Sequence, residues 1–137
     1  NTQLKNLIVD SSQKYNIHVY KATGVILENV SLINALNGGM LVNGAEVSVN
    51  NIQTSDNAWG GIEVSRGNDV DSQPTLTVKG ISQHNETVAI WTDPKNGNVP
   101  TINGDLDQYT VEDITAETDP DKEGFKYYYF GSADNQD

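Results

Sequence analysis

A repeat of about 22 residues constrains this sequence more than any other feature. Residues 25–44 (VILENVSLINALNGGMLVNG) can be laid over residues 47–67 (VSVNNIQTSDNAWGGIEVSRG). In both copies two apolar positions stand three residues apart, and the next follows ten residues later. The superposed pairs are Leu27 with Val49, Val30 with Ile52, Met40 with Ile62, and Val42 with Val64. Periods of about 20–50 residues indicate units that stack on one another, so each copy is expected to form one unit of a solenoid.

The same template extends in both directions along the chain. One step earlier it fits Leu4, Leu7, Ile17 and Val19, and one step later it fits Val78, Ile81 and either Ile90 or Trp91. A fifth, weaker copy takes Val111, Ile114, Phe125 and Tyr127. The first anchors are then 23, 22, 29 and 33 residues apart. Residues 66–74 and 93–104, rich in turn-forming Gly, Pro, Asn and Asp, account for the two longer steps as insertions.

Apolar residues alternate within each copy, as at Met40 and Val42, and this period is typical of β-strands. No copy contains an amphipathic helical segment. The pattern therefore predicts an all-β chain that forms a parallel β-solenoid of about four to five coils. The interior of such a solenoid is one side chain deep. This agrees with a hydrophobic content of 36%, below the usual ~45–50% counted with glycine.

One column of the repeat supports this register. The residue before the second anchor is Asn6, Asn29, Asn51, Gly80 and Asp113 in the five copies. These residue types tolerate the left-handed backbone of a bend, and stacked asparagines can pass hydrogen bonds along a ladder. The alternative interpretation is a set of turn residues in an Asn-rich chain.

The pattern V-x-x-E-N-V-S-L-x-N-A-x-N-G-G-M-x-V-x-G, followed by V-x-V-N-N-I-x-T-S-D-N-A-W-G-G-I-x-V, resembles the right-handed parallel β-helix superfamily. Pectate lyases, polygalacturonases, phage tailspikes and many bacterial surface proteins belong to it. The resemblance is strongest over residues 25–67, extends over 4–91, and depends on spacing alone beyond Pro94. It implies a right-handed, single-stranded parallel β-helix, whereas fold alone does not deliver function.

We expect one domain over residues 1–137, with regular coils over 4–92, the insertions 66–74 and 93–104, and an irregular capping coil over 105–130. The chain begins at Asn1 and its first residues offer no recognisable cap. The domain is therefore expected to be a fragment of a larger extracellular protein.

The formal charge of −11 is unevenly distributed. Residues 1–66 hold five acidic and four basic side chains, whereas residues 67–137 hold fourteen acidic and four basic ones. Such a chain would be repelled by nucleic acid or by an anionic membrane. It lacks the ~20-residue apolar run of a spanning helix. The absence of cysteine excludes disulfides and thiol chemistry.

No catalytic residues are assigned from the sequence. The resemblance implies that hydrolases of this superfamily use an aspartate cluster with His, Arg and Lys partners, and that lyases use calcium-binding carboxylates with a catalytic arginine. Neither set is present, because Arg66 is the only arginine and no aspartate pair recurs one coil away. Asp56 and Glu86, in equivalent loops, form the one pair that could approach glycosidase spacing. Solvated turn residues are the competing interpretation.

The candidate ligand-binding residues are Asp56, Asn57, Trp59, His84, Asn85 and Glu86. They fall in equivalent loops of two adjacent coils, and an exposed tryptophan among amides and carboxylates is a platform for a sugar ring. Trp59 could instead cover the core at a corner. The adjacent glycine pair, residues 60–61, would allow a tight turn or close ligand approach. Trp91 falls in a strand pattern, which favours a place in the core or an end cap.

A weak metal site is predicted at Asp119, Asp121 and Glu123, where oxygen ligands at positions 1, 3 and 5 precede a glycine, as in a calcium loop. The twelfth position is Phe130 rather than glutamate, so solvated acidic loops are the competing interpretation. No other cofactor is expected, because the two histidines are isolated and transition-metal spacing is absent.

The aromatic tail at residues 125–130 (FKYYYF) predicts a final strand. Phe125 and Tyr127 are expected to complete the interior of the fifth coil. Tyr128 and Phe130 would then face outward, covering the open end or docking a neighbouring domain.

The leading functional prediction is a non-catalytic carbohydrate-binding or adhesive segment of an extracellular bacterial or phage surface protein. Its expected partners are a polysaccharide or cell-surface glycan and neighbouring domains of the same protein, without nucleic acid or membrane insertion. The first alternative is a fragment of a polysaccharide lyase or glycoside hydrolase. The second alternative is a structural spacer in a surface fibre or layer.

Overall fold

The structure is a computed structural model that describes residues 2–130. Asn1 and residues 131–137, which the expected domain includes, lie outside the described residues. The strands are β1 (Thr2–Asp10), β2 (Ile17–Tyr20), β3 (Val25–Ile33), β4 (Gly38–Asn43), β5 (Glu46–Ser55), β6 (Gly60–Ser65), β7 (Thr75–Val78), β8 (Ile81–His84), β9 (Ile90–Thr92), β10 (Thr101–Gly104), β11 (Tyr109–Asp113) and β12 (Lys126–Phe130). Two 3₁₀ turns, Lys95–Gly97 and Pro120–Lys122, complete the described elements. None of the helices in this part of the chain has the length and apolar content that a membrane crossing requires.

Two sheets of stacked strands build a β-solenoid of about four turns, as the repeat predicts. The first sheet has the order β1-β3-β5-β7-β10, with β8 also paired to β5, and the second has the order β11-β12-β9-β6-β4-β2. The stacked coils pair in parallel because each coil returns to the same edge in the same direction. The all-β prediction is confirmed.

The predicted register is confirmed through four coils. Leu4, Leu27, Val49 and Val78 form one inward column. Ile17, Met40, Ile62 and Ile90 form a column on the opposite sheet. Burial of these columns leaves a narrow apolar interior between the two sheets, and Leu27, Met40 and Ile62 have no exposed surface. Ile90, and not Trp91, is thus the core residue of the fourth coil.

The asparagine column marks a corner of the solenoid. Asn6, Asn29 and Asn51 have φ values of 56°, 54° and 59°, the left-handed region that asparagine tolerates. The Asn29 amide donates to Asn6 Oδ1 at 3.1 Å, and the Asn51 amide donates to Asn29 Oδ1. Gly80 continues the corner, since its carbonyl oxygen accepts a hydrogen bond from Ile52 N. The same asparagines therefore form the bends of the backbone and a ladder of side-chain hydrogen bonds between coils.

The fifth copy of the repeat was placed wrongly by the sequence pattern. The fifth rung is β10, which lies inside the expected insertion 93–104 and sets Ile102 against Leu76, a step of 26 residues instead of 33. Asp113 belongs to β11 and pairs with Lys126 of β12 in an antiparallel hairpin. The parallel coils therefore end at β10, and the chain then reverses direction.

The faces of the final strand are also opposite to the prediction. β12 adds antiparallel to β9, and Tyr128 lies in the main core with Tyr109, while Phe130 packs against that core. Phe125 joins Trp91, Val88 and Ile114 in a second apolar cluster. Because strand side chains alternate, an error of one residue in register moves every side chain to the other face.

Candidate functional site

The six candidate ligand-binding residues do not form one site. Asp56 and Asn85 lie at a second corner, where both have positive φ values (56° and 55°), and Asn85 Nδ2 donates to Asp56 Oδ1 at 2.6 Å. They continue the corner formed by Ser11 and Asn34 in earlier coils. Their geometry is that of turn residues stacked on one another.

Asn57 and Glu86 are buried, with 2% and 9% of their surface exposed. The Glu86 carboxylate accepts hydrogen bonds from Thr54 Oγ1 at 2.7 Å, from Gln83 Nε2 at 2.9 Å and from Asn57 N at 3.1 Å, and also from the Asn57 side-chain amide. Burial raises the pKa of Glu86, and these hydrogen bonds act in the opposite direction. Both side chains thus belong to an internal polar network.

Asn57 connects that network to three coils. Its Nδ2 donates to Leu32 O at 2.9 Å, and its Oδ1 accepts from Ala35 N at 2.9 Å and from Asn16 Nδ2 at 3.3 Å. Two glycines leave room for this arrangement: a Cβ at Gly39 would lie 3.1 Å from Asn57 Nδ2, and one at Gly61 would lie 3.0 Å from Thr54 Oγ1. The second glycine of each Gly-Gly pair therefore serves internal packing.

Trp59 lies at an open cavity. A groove of about 400 Å³ runs along the outer face of the second sheet, between the coils and the C-terminal hairpin. We call it the aromatic groove, and its lining residues are Trp59, Glu63, Thr87, Val88, Trp91, Asp93, Lys95, Lys122, Phe125 and Tyr127. Aromatic rings beside a few polar groups are typical of sites for small organic ligands.

Trp59 is 53% exposed and is held from behind by Tyr15. The two rings meet edge to face, with centroids 6.2 Å apart. The Tyr15 hydroxyl donates to Glu63 Oε1, and Ser65 Oγ donates to Glu63 Oε2 at 2.6 Å. Tyr15 thus fixes both an exposed indole and a carboxylate on the same wall.

Trp91 forms the buried floor of the groove. Because Gly38 and Gly60 are paired across β4 and β6, no side chain stands between the indole and the sheet. A Cβ at Gly38 would lie 2.8 Å from Trp91 Cη2, and one at Gly60 would lie 3.1 Å from Trp91 Cζ3. The absence of side chains at Gly38 and Gly60 therefore lets the Trp91 indole pack directly against the sheet.

The rest of the groove lining carries charged groups as well as aromatic surface. Lys122 Nζ lies 4.7 Å from the centroid of the Phe125 ring. Asp93 Oδ1 accepts from Lys95 N at 2.9 Å, and the Lys95 ammonium lies 3.8 Å from Asp93 Oδ2. The pKa of Tyr15 is raised mainly by burial, then by its hydrogen bond to Glu63 and the charges of Glu63 and Asp93.

The sequence did not point to Glu63, Asp93, Phe125 or Tyr127 as site residues. A useful signal is present in the alternation of β6: Ile62 and Val64 are inward anchors, so Glu63 must face outward, four residues after Trp59. The hairpin residues carried no such signal, since their position depends on the reversal after β10.

His84 lies on the outer face of β8, and its backbone oxygen accepts a hydrogen bond from Asp56 N at 3.1 Å. Its side chain lines a shallow depression of about 360 Å³ with Gln53, Ser55 and Ser82, away from the aromatic groove.

The weak metal site is not assembled as a ligand cluster. Asp119 caps the turn Pro120–Lys122, and its Oδ1 accepts from Asp121 N at 3.0 Å. Within residues 2–130, no three His, Cys, Asp or Glu side chains are grouped so that they could hold a metal ion.

Comparisons of the chain with protein-family models, with curated proteins and with solved structures gave no match.

Proposed function

We propose that this chain is a non-catalytic carbohydrate-binding segment of an extracellular surface protein, and that the aromatic groove holds the glycan. The observation that carries the proposal is Trp59, an exposed indole held in place at a groove that also contains carboxylates and ammonium groups. Single exposed apolar residues are common on protein surfaces, but Trp59 lines a groove together with other aromatic rings and polar groups, as in sites for small organic ligands.

The chemistry of the groove suits a sugar ring. The axial C–H face of a pyranose is apolar and can lie flat on an indole, while its hydroxyl groups project sideways as donors and acceptors. Glu63 and Asp93 offer acceptors, and Lys95 and Lys122 offer donors. A fixed aromatic ring also loses little conformational entropy on binding, since Tyr15 already restrains Trp59.

Two further features support the proposal. The sequence resembles the parallel β-helix superfamily, many of whose members act on or bind polysaccharides outside the cell, and placement in that superfamily is part of the proposal. The groove also runs along the outer face of the solenoid, crossing successive coils, which is a suitable geometry for an extended chain of sugars.

A glycan array followed by calorimetry tests the proposal. The parent is expected to bind a defined set of glycans, and Trp59→Ala is expected to weaken binding about 30-fold, since a central tryptophan contact contributes about 2 kcal/mol or more. Tyr20→Ala is the matched control, because Tyr20 is also an exposed aromatic (46%) but does not line the groove. Absence of any glycan binding by the parent would refute the proposal and favour a structural spacer.

Glycoside hydrolysis is a second candidate, favoured by one specific observation. Glu63 and Asp93 line the same groove as Trp59, and glycosidases use two carboxyl groups that flank the scissile bond. Release of reducing ends from a bound glycan, abolished in both Glu63→Gln and Asp93→Asn, would support hydrolysis. Binding without any release would leave the non-catalytic proposal.

A further inference from the structure

We infer that the aromatic groove selects polysaccharides with free amino groups, such as those built from deacetylated amino sugars. The inference rests on the proposed function and narrows the class of ligand. Three observations support it. The Glu63 carboxylate accepts hydrogen bonds from neutral hydroxyl groups, the Lys122 ammonium lies over the Phe125 ring, and the ion pair of Asp93 has an exposed lysine.

In the described part of the chain, the hydrogen-bond partners of the Glu63 carboxylate are neutral groups. Its two carboxylate oxygens accept hydrogen bonds from the hydroxyls of Tyr15 and Ser65. Among the residues the structure describes, no lysine, arginine or histidine forms an ion pair with it. Hydroxyl donors stabilise a carboxylate but leave its net charge in place, and Glu63 is half-buried, where charges are screened less than at an open surface. An ammonium group entering the groove would meet this negative charge.

The opposite wall is already used by an ammonium group. Lys122 Nζ lies 4.7 Å from the centroid of the Phe125 ring, within the distance at which a cation is attracted to the face of an aromatic ring. Lys122 itself is exposed, so its side chain can leave the ring for solvent at little cost. The face of the Phe125 ring can therefore bind an alkylammonium ion through a cation–π contact.

The second carboxylate is only weakly neutralised. The Lys95 ammonium lies 3.8 Å from Asp93 Oδ2, and the side chain of Lys95 is 73% exposed. Asp93 is 19% exposed, but the lysine end of the pair is open to water and salt, which screen it and leave Asp93 partly neutralised. The pKa of Tyr15 is raised mainly by burial, and the smaller contributions of the Glu63 and Asp93 charges agree with two carboxylates that lie close together in the groove.

Acetylation of the amine separates this inference from carbohydrate binding in general. A chitosan oligomer and a chitin oligomer of equal length share the same sugar backbone and differ in whether the nitrogen carries a positive charge or an acetyl group. Stacking on Trp59 is common to both oligomers, whereas attraction to Glu63 and Asp93 acts only on the charged one.

Calorimetry with the two hexamers, below the pKa of the sugar amine, is the test. The parent is expected to bind the chitosan hexamer at least 10-fold more tightly than the chitin hexamer, with a preference that falls as salt is added. Glu63→Gln is expected to remove most of the preference, and its one side-chain oxygen retains an acceptor for Tyr15 or Ser65. Glu28→Gln is the matched control, because it removes the same charge at a site far from the groove, where Glu28 faces Lys5.

A second variant keeps the inference falsifiable if Glu63→Gln fails to fold. Lys122→Ala frees the face of Phe125 and is expected to tighten chitosan binding several-fold. Equal or weaker binding of chitosan relative to chitin, or an equal loss in Glu63→Gln and Glu28→Gln, would overturn the inference. If the parent binds only other glycans, the inference fails and the proposed function stands; if it binds no glycan, both fail.

Discussion

Truncation of Asn57 provides the sharpest test of how this solenoid is held together. The Asn57 side chain joins Leu32 O, Ala35 N and the Glu86 carboxylate inside the coils. Asn57→Ala removes all of these contacts and leaves the backbone in place. The free energy of unfolding is expected to fall by far more than the ~1 kcal/mol of a typical substitution.

The magnitude can be worked out from the groups left behind. Ala35 N lies outside the strands, and Asn57 Oδ1 is its acceptor, so a buried N–H is orphaned at a cost of about 1–3 kcal/mol. Glu86 loses one of its donors, and a hydrogen bond to a charged group contributes about 1.5–3 kcal/mol. The total is about 2.5–6 kcal/mol, a large share of the ~5–15 kcal/mol that stabilises a typical domain.

Guanidinium unfolding followed by tryptophan fluorescence measures this difference. Asn50→Ala is the matched control, because Asn50 lies in the neighbouring strand β5 with its side chain exposed. It is expected to change the free energy of unfolding by no more than about 0.5 kcal/mol. A loss below about 1 kcal/mol in Asn57→Ala would refute the internal network as a major source of stability.

Two further predictions concern Glu86 and the asparagine corner. Burial raises the pKa of Glu86 above its ordinary 4.5, so its contribution to stability is greatest below about pH 4.5 and is lost as the pH rises through the raised pKa. The free energy of unfolding of the parent, relative to Glu86→Gln, should therefore decline as the pH rises from 4.5 in a titration series of chemical melts; a rise would contradict the sign. At Asn29, where φ is 54°, valine should destabilise the fold by about 1–2 kcal/mol more than glycine does, because a β-branched residue is strained in the left-handed region. Equal thermal melts for Asn29→Val and Asn29→Gly would show that the corner does not depend on this backbone conformation.

The register of the coils could be predicted because apolar residues recur at regular spacings along the sequence. Spacings of three and ten residues between apolar anchors recur in the first three copies, and one interior column fixes the others. Leu27 pairs with Val49 and Met40 pairs with Ile62, as their spacing predicts. The stacked asparagines strengthened the register because the bend and the side-chain ladder require the same residue type.

The end of the solenoid could not be predicted from that signal. Alternation in residues 125–130 reveals a strand but neither its direction nor the face that meets the core. Tyr128 is a core residue because it pairs with the buried Ile90 and therefore faces inward with it. A spacing pattern carries no information about such a reversal.

The candidate site was predicted in part, because polar residues near turns look alike in a sequence. Asp56 and Asn57 are neighbours, yet one is an exposed corner residue and the other is buried. Alignment of the second corner offered a usable signal: Ala35, Asn57 and Glu86 each follow a residue with positive φ. The residue after this bend faces inward in each of these three coils. Ala35 is the apolar residue of that column, so the sequence indicates a buried position there.

The antiparallel attachment of β12 makes the two walls of the aromatic groove unequal in their resistance to local opening. Glu63 stands on a strand with parallel neighbours on both sides, whereas Phe125 and Tyr127 depend on a hairpin joined to β9 by three register pairs. Elements with few neighbours open first in native proteins, so we expect the hairpin to open before the parallel coils do. A molecule that touches both walls stabilises the closed hairpin by mass action. If the groove binds a ligand that touches both walls, we expect its occupancy to be coupled to closure of the last strand pair of the solenoid.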